Sequence, residues 1–138
     1  MLKTGKDSEV STAREDTRRI RGRAGEELAR GYLEDHDYSI LANNFRTRYG
    51  EIDLIVRRGG IVAFVEVKAR RDKQFGEPFE AVSPRKQNQI RRMAEMWLAV
   101  NEGDAALAGC DFRFDVVSIM LEEDDTAAQL LHIEDAFR

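Results

Sequence analysis

Two acids and a lysine stand at spacings that strand geometry can turn into a site. Asp53 lies in Glu51–Val56 (EIDLIV), and Glu66 and Lys68 lie in Ile61–Arg70 (IVAFVEVKAR). Side chains alternate faces along a strand, so Glu66 and Lys68 share one face while Val65 and Val67 take the other. The two runs are separated by Arg57-Arg58-Gly59-Gly60. A Gly-Gly pair between β-branched runs predicts a hairpin, because glycine accepts the positive φ of tight turns. With Gly59-Gly60 as a two-residue loop, Arg58 pairs with Ile61 and, counting back, Asp53 pairs with Glu66. Their Cβ atoms then lie roughly 4.5–5.5 Å apart. A four-residue loop changes the partner but keeps the face; an odd loop breaks the arrangement.

Carboxylates in register, flanked by Ile52, Leu54, Phe64 and Val65, repel one another at low local dielectric. A divalent cation with oxygen ligands removes that cost. Two histidines, His36 and His132, and one cysteine, Cys110, offer no zinc-site spacing, so carboxylates must hold any metal. That chemistry points to a hard ion, Mg²⁺ or Mn²⁺, between Asp53 and Glu66, with the Val67 carbonyl open to it as an optional further ligand. Lys68, on the same face, can orient or deprotonate an attacking water or balance charge on a phosphorane-like transition state. Asp plus Glu-x-Lys on a hairpin is the minimum kit for phosphodiester hydrolysis. The bland alternative is that all three are solvated strand charges.

Other elements must position these groups. From Arg18 to Asp35 the pattern is helical, with Ile20, Ala24, Leu28 and Tyr32 in one stripe, Ala29 and Leu33 widening it, and Glu26 and Glu27 at its two edges. By periodicity alone, either glutamate could reach the acids. Residues 38–46 predict a strand, and 71–82, with Gly76 and Pro78, a loop. Ser83 can cap a helix whose first turn takes Pro84. Ile90, Met93, Ala94, Trp97 and Leu98 then repeat at the spacing of a buried stripe. After a Gly/Asp-rich loop at 101–111, Phe112–Leu121 predicts a strand, and a short strand or helix at Leu130–Phe137 closes the chain. Trp97 and Phe112 are read as core. The helical crossover between the strands at 61–70 and 112–121 implies parallel pairing. The expected class is α/β: a mixed sheet flanked by helices, in the order α-β-β-β-α-β.

With 138 residues one core is expected, as a single domain over 18–138 behind a polar, mobile tail at 1–17. No stretch resembles a secretion signal or a membrane span. With a lone Cys110, a cytoplasmic setting is the expectation. The net charge of −4 hides an uneven distribution. Residues 43–92 carry twelve Lys/Arg against six Asp/Glu, a net +6, and residues 93–138 carry two against eleven, a net −9. The basic half suits nucleic acid; an acidic tail that confers solubility is the plainer explanation. Arg46, Arg48, Arg70, Arg71, Lys73, Arg85 and Arg92 flank the acids in sequence and could track a phosphate backbone without reading bases. Lys86, one turn before Ile90 near the positive end of its helix, could reach a phosphate or simply snorkel.

Gly22-x-x-x-Glu26, Gly50-Glu51-Ile52-Asp53-Leu54-Ile55, Phe64-Val65-Glu66-Val67-Lys68 and Arg113-Phe114-Asp115-Val116-Val117 together resemble the YraN-like bacterial family. The resemblance runs from about Gly22 to Phe137. It implies a restriction-endonuclease-like fold similar to that of Holliday-junction resolvases, with Asp53, Glu66 and Lys68 at the metal and catalytic positions of PD-(D/E)xK nucleases. It singles out Glu26 as the first-helix glutamate and favours a lysine at Lys86. A Gly-Glu pair precedes Ile52-Asp53 in place of the proline that names the motif. The implied activity is metal-dependent cleavage of DNA, including branched DNA, by a homodimer. The rivals on the same fold are a non-catalytic nucleic-acid-binding module and an assembly protein.

Overall fold

The structure, a computed structural model, describes residues 23–71 and 82–138. The tail expected at 1–17, the helix start at Arg18, and the loop around Lys73, Gly76 and Pro78 lie outside the described residues. The first helix, α1, runs through residues 23–35. Five strands follow: β1 (Ser39–Thr47), β2 (Gly50–Arg58), β3 (Ile61–Arg70), β4 (Asp111–Leu121) and β5 (Ala127–Phe137), with α2 (Pro84–Val100) between β3 and β4. Among the described residues, no helix is long and apolar enough to cross a membrane.

The strands form one mixed sheet in the order β1-β2-β3-β4-β5. The two-residue Gly59-Gly60 turn pairs Arg58 with Ile61 and continues in register to Leu54↔Val65. Of the two glycines, only Gly59 takes a positive φ, 59°, which suits a hairpin turn that needs the left-handed conformation at its first central position. β3 and β4 run parallel from Ile61↔Asp111 to Arg70↔Met120, the geometry that a helical crossover permits. The closing segment is a strand, β5, antiparallel to β4.

α2 begins as its sequence dictates. Pro84 fills the first turn, and the Ser83 hydroxyl accepts the Lys86 N–H at 3.2 Å. Ile90, Met93, Ala94 and Trp97 are buried against Ile55, Val62, Phe64 and Val116 on one face of the sheet. On the other face, Ala29 and Leu33 of α1 pack against Leu54, Val56, Ala63, Val65, Val117 and Ile119. The buried stripe of α1 is therefore Gly25, Ala29 and Leu33: Ala29 and Leu33, expected at the side of the stripe, form its centre, and Leu28 and Tyr32, expected at its centre, pack beside it. The shift has a steric cause: a Cβ on Gly25 would lie 2.7 Å from the Ala69 Cβ of β3, so glycine lets the helix backbone approach the sheet there. Phe112 also departs from expectation. It sits at the start of β4 and is 44% exposed, so it belongs to the sheet end and not to the core.

A polar pin closes the hairpin end of the sheet. Asp115 is fully buried and receives both Arg113 Nε and Nη2, at 2.9 and 3.0 Å, and the Asp135 N–H at 3.0 Å, with His132 Nε2 at 2.8 Å. Arg113 also donates to the Tyr38 hydroxyl. Burial pushes the Asp115 pKa up, but these partners outweigh it and hold the carboxyl below its ordinary value.

Candidate metal centre

The centre forms where β2 loses its pairing with β3. Residues 52 and 54 should share a face, yet Ile52 packs on the α2 side and Leu54 on the α1 side. The alternation breaks at Asp53. On β1, Asn44 takes φ 52° between Asn43↔Leu54 and Phe45↔Ile52, so both strands are irregular at the same level. The Asp53 carboxylate turns to the gap between strands and accepts the Val67 N–H at 2.7 Å.

Glu26 of α1 and Glu51 and Asp53 of β2 each present one carboxylate oxygen within 4.8 Å of the others. Glu26 is half-buried and Glu27 exposed, so the helix presents Glu26 to the sheet. The Asn44 side chain hydrogen-bonds Glu26. Glu66 lies outside this group of three. It projects to the α2 side, where Lys86 Nζ stands 3.8 Å from its Oε2. Its charge nonetheless acts on Asp53 more strongly than those of Glu26 and Glu51. Lys68 follows two residues later on the same strand, and its charge acts on Glu66.

Burial and mutual repulsion shift the acids of the cluster. Burial, then the Glu66 charge, raises the Asp53 carboxyl to about 8, against a lowering by the Val67 N–H. Burial also raises Glu66, with Lys86 and Lys68 opposing, and burial raises Glu26. Three oxygen donors converging from a helix and a strand fit a hard divalent cation, which would favour the charged form of Asp53.

The sequence-derived residues thus divide. Asp53 and Glu26 meet, with Glu51 as the third acid. Glu66, Lys68 and Lys86 line the adjoining α2 side. Val67 contributes its N–H. Arg85 is exposed on the first turn of α2, Arg48 is exposed on the β1–β2 turn, and Arg70 is half-buried at the end of β3. Arg71 is engaged elsewhere: it donates to the Glu122 and Glu123 carbonyls and pairs with Asp125 in the acidic β4–β5 turn. Glu51 escaped the sequence reading because it appeared as the residue replacing the motif proline. Its i, i+2 relation to Asp53 was the available signal.

A model of the uncharacterised protein family UPF0102 matches residues 25–119, from the packing glycine of α1 into β4. The chain is 44% identical over 133 residues to a UPF0102 protein of Pelobacter propionicus, covering 95% of this chain and 91% of the relative. It is 47% identical over 109 residues to one from Nocardia farcinica, covering 79% and 83%. A third, from Moorella thermoacetica, is 40% identical over 121 residues, covering 88% and 98%. With the matched region holding α1, the hairpin, α2 and most of β4, the chain belongs to the UPF0102 family.

Proposed function

We propose that this protein is a divalent-metal-dependent nuclease with a restriction-endonuclease-like core, acting on DNA phosphodiesters. The observation that carries this reading is the convergence of Glu26, Glu51 and Asp53 at the point where β2 and β3 splay, with Glu66 and Lys68 beside them. Mg²⁺ or Mn²⁺ fits the all-oxygen donor set, held by Glu26, Glu51 and Asp53, with Glu66 and the Val67 carbonyl as candidates to complete it. Such an ion, when bound, supplies Lewis acidity to a phosphoryl oxygen and favours deprotonation of water.

The chain's own groups do the rest. The Val67 N–H fixes the direction of the Asp53 carboxylate. Lys86 restrains Glu66 from the α2 side. Lys68, whose charge acts on Glu66, brings an ammonium to the same strand as the acids, where it can meet charge developing on a phosphate. The mixed sheet with a helix on each face, and the acids on its second and third strands, supports the nuclease-type core as a reading of the fold.

The test is cleavage of labelled duplex, flap and four-way-junction DNA in Mn²⁺ by wild type, Asp53→Asn and Lys68→Ala. Metal-dependent cutting by the wild type, lost in both variants, is the expected result. Absence of cutting across the panel overturns the enzymatic reading, and salt-sensitive binding that survives Asp53→Asn would then assign the fold to a binding module.

A further inference from the structure

On the rim of the acidic cluster, the β1–β2 turn and α2 assemble a cationic feature that the cleavage chemistry does not use. Tyr49 lies two residues before Glu51 and is 36% exposed. The guanidinium carbon of Arg48 stands 5.1 Å from its ring centroid, and that of Arg92, reaching across from α2, stands 5.0 Å. The two cations are therefore at most about 10 Å apart. Arg48 Nη2 also donates to the Tyr49 hydroxyl at 3.0 Å. Among the described residues, neither arginine makes an ion pair.

The turn is tied to α2. Gln89 of α2 donates to the Tyr49 carbonyl. Gly50 has φ 144°, a conformation that residues with a side chain rarely adopt, and a Cβ there would meet the Gln89 amide at 2.6 Å and displace it from the turn. Arg46 pairs with Glu51 at 3.1 Å, linking the same β-ribbon to the acidic group. Two guanidiniums gathered on one ring without a carboxylate repel each other, and an anion between them relieves that repulsion.

We propose that Arg48 and Arg92, gathered on Tyr49, form a clamp for neighbouring phosphates of a nucleic-acid backbone leading into the Glu26-Glu51-Asp53 cluster. The inference rests on the nuclease reading for what lies beyond the clamp. A guanidinium's planar fork matches phosphate geometry, and contacts to phosphate set position without selecting sequence.

The test uses the full chain carrying Asp53→Asn, in EDTA, with fluorescent DNA as single strand and as duplex, and anisotropy across a salt series. Adding Arg48→Gln and Arg92→Gln together should raise Kd about tenfold or more at low salt. It should also reduce the slope of log K against log salt by about 1.4–1.8, the loss of two phosphate contacts. Tyr49→Phe should retain the parental Kd, and Tyr49→Leu should weaken binding several-fold. Because the substituted side chains are exposed, melting temperatures should match the parent. An unchanged Kd and slope in the double arginine variant, or no DNA binding by the parent, overturns the clamp. Failure of the wild type to cut DNA, with the arginine effect intact, removes the nuclease reading and leaves the clamp standing.

Discussion

The Asp53 carboxylate accepts the backbone N–H of Val67 at 2.7 Å. A regular continuation of the β2–β3 register past Leu54↔Val65 would give that N–H to the Ile52 carbonyl. A side-chain acid has thus replaced a ladder bond. Ile52 is released to pack with Phe64 and Ile90 on the α2 side, and Asp53 is drawn between strands, within reach of Glu26 and Glu51.

That exchange predicts an inverted pH dependence in the metal-free protein. The Asp53 carboxyl titrates near 8 in the folded chain, against an ordinary 3.8, so between these values the folded state holds a proton that the unfolded state has released. Its contribution to stability is complete below the ordinary value and is lost as pH rises through about 8, by up to about 1.4 kcal/mol per pH unit. Urea melts in EDTA at pH 5, 6, 7 and 8 should show this decline. Asp53→Asn, which keeps an acceptor for Val67, should flatten it and be at least as stable as wild type at pH 8. A wild-type profile that rises over this interval would contradict the account.

The buried pin at Asp115 behaves oppositely. Its carboxyl is held below the ordinary value by His132 and Arg113, against the effect of burial, so its contribution is present above that value and lost as pH falls through the folded one. Asp115→Ala removes the acid that Arg113 and His132 share, leaving Arg113 only the half-exposed Glu134 at 3.8 Å, and should cost about 3–5 kcal/mol in denaturant unfolding at neutral pH. A loss under about 1 kcal/mol would mean that the network is incidental.

Gly25 offers a way to move Glu26 without touching a carboxylate. A Cβ there already meets Ala69 at 2.7 Å, so Gly25→Val must push α1 away from β3. Overpacking of this kind costs about 1–3 kcal/mol, and Mn²⁺ affinity should fall at least several-fold with all four acids present. Unaltered affinity would show that Glu26 is not a ligand.

Much of this was legible in the sequence. The Gly59-Gly60 turn set the register through which Asp53 and Glu66 could be brought level, because a two-residue loop leaves little freedom. Ser83-Pro84 and the stripe from Ile90 to Trp97 announced α2, because capping and a 3.6-residue period are local signals. The long crossover announced the parallel β3–β4 pair. What sequence concealed was non-local. Strict alternation placed Asp53 and Glu66 as the paired metal ligands, whereas the alternation breaks at Asp53 and groups it with Glu26 and Glu51. The α1 stripe was read with Ala29 and Leu33 at its side and not at its centre, because glycine carries no hydrophobic signal, although Gly25 is where the helix meets β3. Arg71 looked like a backbone-binding cation, and only the folded β4–β5 turn shows its partners at Glu122, Glu123 and Asp125. Tyr49 acquires its meaning from Arg92, which lies on a different element 43 residues later.

The most direct test of the central claim is calorimetric titration of Mn²⁺ into wild type, Glu51→Gln and Asp53→Asn at pH 6 and pH 8. Wild type should bind with an affinity that rises from pH 6 to pH 8, because the ion displaces the proton held at Asp53. Glu51→Gln should bind at least tenfold more weakly, and Asp53→Asn should give no resolvable heat. Equal binding by all three proteins, or none by the wild type at pH 8, would contradict a metal centre built from the first helix and the second strand.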